Sequence, residues 1–392
     1  MLFTYPDYLL ARQIAMVLLV LCAALYLSSC DSNPVIEPSG KTITIGVIGP
    51  MTGDEYAKGK EGVKGIRTIQ HLYPYLNNGD AIELVIKDDK NDPDETVRLI
   101  RLMAEEKNVL AILLLSSSAS ALKAGAVADA YSIPVLSLVA THSVITTGRH
   151  YISQISFDNN FQGRVASYFV RDDLLLDKVA VIYDGHSFHS TQLAEQFIRT
   201  FESAGGEITN SLLLEQAAGD YEESLKNIQA QGAELLYLPL KAEQVFNIIT
   251  AASAINWSPV MMGGDGMIAS AIAQHKDQSN ILDGIYATDF FSSVMPLTDF
   301  GNKTLAAFSS LYDTDGTTYT GLGAEGYSVL MHAINRCISN MDRKCINDKI
   351  RSTDKHTGLI GKISITKNGR AERPLVVNKI INGRLQFVVK VY

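Results

Sequence analysis

The chain has 392 residues, 46% hydrophobic and 19% charged, and a formal net charge of −8. That length exceeds one ordinary core and sets two domains as the expectation. The negative balance, with no basic stripe anywhere, argues against nucleic acid as a partner, since phosphate binding needs concentrated Lys and Arg.

Arg12 precedes an apolar run over 14–27, which is short for a membrane span and suits a secretory signal. The run ends in Leu27, Ser28, Ser29 and Cys30, which resembles the lipobox of bacterial lipoproteins. The expectation is a signal peptide over 1–29, acylation of Cys30, and a polar, Pro-rich tether over 30–40. A plain membrane anchor is the competing reading. Asp31 after the acylated Cys resembles an inner-membrane retention signal, implying the periplasmic face of the cytoplasmic membrane. Of the four cysteines, Cys22 leaves with the signal and Cys30 takes lipid. Cys337 and Cys345 remain and are expected to form a disulfide in an oxidising compartment. A metal site would need further His or Cys at zinc spacing, and none lies nearby.

From residue 41, short apolar runs alternate with longer amphipathic stretches. Strands are expected over 42–48 (TITIGVI), 82–87, 111–115 and 134–138, with helices over 59–73 and 119–131. Between the second and third strands, NDPDETVRLIRLMAEE opens a helix with Asp92 as N-cap, Pro93 at the first helical position and Glu95 at the third. The series restarts with helices over 160–174, 190–204, 221–231 and 241–255, alternating with strands over 178–183, 207–213, 234–238 and 259–262. Two successive βαβ series predict two doubly wound α/β lobes built on parallel sheets. The tail differs: helices over 302–312 and 323–339 precede strands over 362–366, 375–381 and 385–391. Asn-Gly pairs at 368–369 and 382–383 mark hairpins among those strands.

In open α/β sheets, ligands lie beyond the carboxyl ends of the strands. After AILLL come Ser116, Ser117 and Ser118, at a helix N-terminus whose free N–H groups suit a carboxylate. Capping needs one serine; three exceed it. After VLSLV come Ala140, Thr141, His142 and Ser143, and after PVMMG come Gly264, Asp265 and Gly266. Ordinary turns are the plain alternative for both loops. Taken together, hydroxyls and a helix N-terminus on one side and a carboxylate on the other can bracket a zwitterion.

The ordered set TITIGVIGPMTG, KDDKNDPDETVRL, SSSASA, IPVLSLVAT, KVAVIYDG, LAEQFIRTFESAGGEI, AELLYLPL, PVMMGGDG, LDGIYAT and GLIGKISITKNG resembles the type I periplasmic binding proteins. Within them it is most similar to the branched-chain amino-acid binding subfamily, the substrate receptors of ABC transporters. The resemblance implies two lobes joined by a three-strand hinge. The first lobe would take 41–155 and 289–370, the second 156–288 and 371–392. It implies a ligand carboxylate held by Ser118 or Ser117 and by Thr141. The ammonium would meet the Val139 carbonyl beside Ala140, the Thr141 hydroxyl and Asp265, with Phe188 lining the second lobe. Two positions depart from the pattern. Lys58, with Tyr56 nearby, stands where relatives place an aromatic, and so do Leu240 and Lys241. A ligand more acidic or polar than leucine is the expectation from those lysines.

Enzyme readings find little support. His186, Ser187 and His189 lie close together, but G-x-S-x-G is absent and adjacent residues rarely face one another. Residues 88–95 lack calcium-loop spacing, and GVIGPMTG does not complete a dinucleotide fingerprint. No catalytic residue, metal or cofactor is assigned. The partners expected are a small-molecule ligand, permease subunits and, through the lipid, the membrane, with the protein a monomer. A ligand sensor that signals to a partner protein, or an envelope scaffold, are the other readings.

Overall fold

The computed structural model describes residues 36–105, 108–217, 221–268 and 281–392. The expected signal peptide, Cys30 and the first part of the tether lie outside the described residues.

The first lobe is built from β1 (Thr42–Gly49), α1 (Tyr56–Leu72), β2 (Ala81–Asp88), α2 (Pro93–Glu105), β3 (Val109–Leu114), α3 (Ser118–Tyr131), β4 (Val135–Ser137) and β5 (Ile152–Gln154). Its sheet runs β2-β1-β3-β4-β5 with every neighbouring pair parallel. Strands covered on both faces read as unbroken apolar runs, and Ile45, Val47, Leu113 and Leu114 are fully buried. β5, only Ile-Ser-Gln, carries no such signal and was not expected.

The second lobe takes α4 (Asn159–Tyr168), β6 (Lys178–Tyr183), α5 (Phe188–Ser203), β7 (Glu207–Leu213), α6 (Tyr221–Ala230), β8 (Leu235–Leu238), α7 (Ala242–Ala254), β9 (Val260–Gly263) and β10 (Tyr286–Asp289). The tail supplies α8 (Asp299–Tyr312), α9 (Thr318–Asn335), α10 (Arg343–Ile350), β11 (His356–Thr357), β12 (Lys362–Ile365), β13 (Ala371–Glu372), β14 (Leu375–Ile381) and β15 (Arg384–Val391). The seven-stranded second sheet runs β15-β14-β10-β9-β8-β6-β7. β6 to β10 are parallel, whereas the β14–β15 hairpin adds antiparallel to β10. Each of the two large sheets therefore has a point where the chain winds outward in both directions, between β1 and β3 in one and between β6 and β8 in the other. Ligands of doubly wound sheets lie in that crevice.

α9 returns to the first lobe and packs on α1 through glycines. A Cβ on Gly323 would stand 2.0 Å from the Gly62 carbonyl oxygen, and one on Gly65 2.0 Å from that of Thr320. Only bare backbones approach so closely, and the contact sets the middle of α1 against the first turns of α9. Cys337, just past α9, is disulfide-bonded to Cys345 in α10, with Cα atoms 6.0 Å apart.

The chain passes between the sheets three times: after β5, after β10 and between β13 and β14. Arg373 ties these passages together. Its guanidinium donates to the carbonyls of Ile155 and Phe290, each at 3.3 Å, and pairs with Glu325 of α9 at 2.8 Å. Phe290 stacks on Phe157 with centroids 3.9 Å apart, so the hinge has its own small core.

Candidate functional site

Loops after β1, β3 and β4 of the first sheet and after β6, β8 and β9 of the second form the site, at and beside the two switch points. The loop after β1 is tied down by Asp88 at the end of β2, which accepts from the Met51 N–H at 2.8 Å and the Thr52 hydroxyl at 2.6 Å. It delivers Glu55 to the start of α1. After β3 the three serines divide their tasks. Ser116 is buried and donates to Asp89, which also accepts from the Thr96 hydroxyl at 2.6 Å. Ser117 is the N-cap residue of α3, yet its hydroxyl does not cap, and its N–H donates to Asn91 Oδ1 at 2.9 Å. Ser118 Oγ accepts from the N–H groups of Thr141 and His142, both at 3.3 Å, and so fixes the loop after β4. The Ala140 carbonyl in that loop is already used, accepting from Ser156 Oγ at 2.5 Å and Gln154 Nε2 at 3.0 Å.

From the second lobe, α5 is capped by Ser187, which accepts from the Ser190 N–H at 3.2 Å. The core face of α5 is Ser190, Leu193, Ala194 and Phe197. Phe188 lies off that face. Expected to line the second lobe, it is instead 58% exposed and meets His142 edge-on at the cleft rim. His189, one turn before Leu193, takes the inner position. Its Nδ1 lies 2.9 Å from Thr141 Oγ1 of the first lobe, and its Nε2 lies 3.7 Å from Asp265 Oδ1. Asp265 sits in the turn after β9, where Gly266 has φ +70° and a Cβ there would stand 2.4 Å from the Tyr319 hydroxyl. Asp265 Oδ1 is buried with no hydrogen-bond partner among the described residues.

Charge in the cleft is largely balanced. Glu55 accepts Lys58 Nζ on one oxygen and Lys241 Nζ on the other, each at 3.0 Å. Burial opposes ionisation of Glu55, but the two lysines outweigh it and bring its pKa down to about 2. Burial likewise opposes the Lys58 ammonium, and Glu55, Tyr319 and Asp265 together reverse the balance and raise it. Burial holds His189 below the usual imidazole range, with Lys58 adding to that and Asp265 opposing it, so the ring is neutral at pH 7. The two lysines thus offset the charge of Glu55 and Asp265, and each gives one of its N–H donors to Glu55.

Beneath Asp265 lies a second carboxylate, Asp289 at the end of β10, 4% exposed. It accepts from the Thr318 hydroxyl at 2.5 Å and the Phe290 N–H at 2.8 Å. Burial and the neighbouring Asp265 push its pKa up to about 7 against those hydrogen bonds. Between its unfolded value and about 7 the native state binds the extra proton, so stability is greatest below that window and declines as pH rises through it. Denaturant unfolding across pH 4–8 is expected to show this decline in the wild type and a flatter profile in Asp289→Asn.

Of the residues singled out in the sequence, Ser118, Thr141, Asp265, Lys58 and Lys241 converge on the cleft. Ser117 stands at its edge. Val139 and Ala140 are buried beneath it. Tyr56 is 51% exposed under the Lys60 ammonium at 5.0 Å. Glu55 and His189 had no assigned place in the binding site. The available signal for His189 was its spacing of four from an apolar helix face.

The sequence matches the model of the periplasmic binding protein family over residues 42–384. An amino acid binding protein of Pseudomonas aeruginosa is 22% identical over 249 residues, 63% of this chain and 66% of that protein, so the chain spans just under two thirds of its length. Among solved structures, the leucine binding protein LivK of Thermotoga maritima superposes with a TM-score of 0.81 at 24% identity, covering 89% of this chain and 98% of that one. A solute binding protein of Rhodopseudomonas palustris BisB5 in complex with 3,4-dihydroxybenzoic acid gives 0.77 at 19% identity, covering 89% and 97%. With two switch-point crevices facing each other across three passages, and a family match over most of its length, the chain belongs to the periplasmic binding proteins and has their type I fold.

Proposed function

We propose that this protein is the solute receptor of an ABC importer, held by lipid on Cys30 at the periplasmic face of the cytoplasmic membrane. Its lobes close on an amino acid or a similar small zwitterion. One observation carries the reading: Thr141 of the first lobe and His189 and Asp265 of the second form one polar line across the cleft. Ser118 Oγ already accepts two N–H groups, which leaves its own proton to donate to a ligand carboxylate. The N-terminus of α3 adds N–H groups to the same end. At the other end, the unbonded Asp265 oxygen suits an ammonium. A ligand touching both lobes binds the closed form better and shifts the population toward it.

A zwitterion also leaves the cleft's charge balance unchanged, whereas a plain carboxylate brings one uncompensated charge and leaves Asp265 unmatched. Thermal unfolding of the full chain with each of the common amino acids and with 3,4-dihydroxybenzoate tests this. A ligand at 100 times its dissociation constant stabilises by about 2.7 kcal/mol. An amino acid is expected to raise the melting temperature and the benzoate to leave it unchanged. No shift with any amino acid ends the reading.

A further inference from the structure

The contact between Glu55 and Lys241 joins the two lobes, which also meet at the hinge, through polar contacts from the loop after β4 to α5, and where α9 touches the ends of β9 and β10 through Tyr319 and Thr318. Glu55 comes from the loop after β1, and Lys241 from the loop after β8, so the pair brings together the two switch points themselves. We infer that Glu55 and Lys241 form an ionic latch that holds the lobes shut, so that closure is set in part by a contact outside the polar line that grips the solute. The inference rests on the closure mechanism proposed above.

Three features fit a latch better than an incidental surface pair. Glu55 is held in place before the lobes meet, because Lys58 of its own helix bonds its Oε2 and leaves Oε1 facing the other lobe. The side chain of Glu55 is only 20% exposed, whereas that of Lys241 is 65% exposed, so one half is a fixed socket and the other a reaching arm. The root of that arm is fixed in turn: the Lys241 N–H donates to Gln244 Oε1 at 2.9 Å, and Gln244 Nε2 lies 3.4 Å from Asp184 in the loop after β6. Since Lys58 and Lys241 keep Glu55 ionised down to about pH 2, ionic strength rather than pH is the variable that weakens the latch.

The Ser143 amide reports closure directly, since it donates to Gln192 Oε1 of α5 across the cleft at 2.9 Å. Its hydrogen exchange can be followed in the solute-free full chain at about 0.01 M and about 1 M NaCl, over which the screening length falls from about 30 Å to about 3 Å. In the wild type, exchange is expected to quicken with salt. Lys241→Met should exchange roughly two- to fivefold faster at low salt, in line with a partly exposed pair, with little further response to salt. Lys241→Arg should behave as the wild type. Equal Ser143 exchange in Lys241→Met and the wild type at both salts overturns the latch. So does equal acceleration at the Leu236 amide in the core of β8, which would mean loss of fold rather than opening. No solute enters this experiment, so a failed amino-acid screen and a failed latch are separate results.

Discussion

Arg373→Met is expected to destabilise the fold by about 3–5 kcal/mol, the cost of breaking a buried ion pair by removing one partner. Both side chains are almost wholly buried, 1% and 2% exposed. Glu325 also accepts from the Leu359 N–H at 2.7 Å, so that loop loses its anchor if the carboxylate moves. Without the guanidinium, Glu325 is a charge in an apolar hinge, and the Ile155 and Phe290 carbonyls lose a donor. Glu325→Gln keeps the shape but leaves Arg373 unpaired, and should cost a comparable amount. Replacing both partners with apolar residues should recover most of the loss, because burying charge was itself costly. Urea unfolding checks this through the midpoint at unchanged slope. A single substitution that leaves the midpoint in place would mean the hinge does not depend on the pair.

Asp265→Ala is expected to weaken amino-acid binding by roughly 2–5 kcal/mol, as for one partner of a buried charge pair. The group most affected is the ligand's ammonium, which would be desolvated on closure and left facing a neutral imidazole at His189. Asp265→Asn restores a polar atom but no charge, and should fall between the alanine variant and the wild type. Calorimetry with an amino acid that raises the melting temperature measures this directly. An unchanged dissociation constant for the alanine variant would put the ammonium elsewhere in the cleft.

The parts of the fold that the sequence revealed are those where one physical cause dominates. β1, β3 and β6 are buried on both faces, so their apolar runs stand out. The closing hairpins carry Asn-Gly turns, whose glycines have φ +80° and +68° and suit a tight reversal. β10 was too short and too polar to register, as Tyr-Ala-Thr-Asp resembles a loop. α10, Arg-Lys-Cys-Ile-Asn-Asp-Lys-Ile, is brief and mostly polar, with Ile346, Asn347 and Ile350 turned inward. In the site, Ser118, Thr141 and Asp265 were legible because strand-end loops are where doubly wound sheets bind. The role of Lys58 and Lys241 was not, since it depends on a glutamate that looks like any other residue at a helix start. Pairing across the cleft links positions far apart in the chain, and no local pattern encodes it. The family resemblance points to Phe188, while the register of α5 turns His189 toward Thr141 and Asp265.

β14 and β15 follow the first lobe's last strands in sequence, yet β14 covers the flank of β10 in the second sheet. Without β14, β10 presents an open edge with unpaired backbone groups. A chain that lacks β14 therefore leaves its second sheet unfinished, so neither half closes without segments that lie on the far side of the other in sequence.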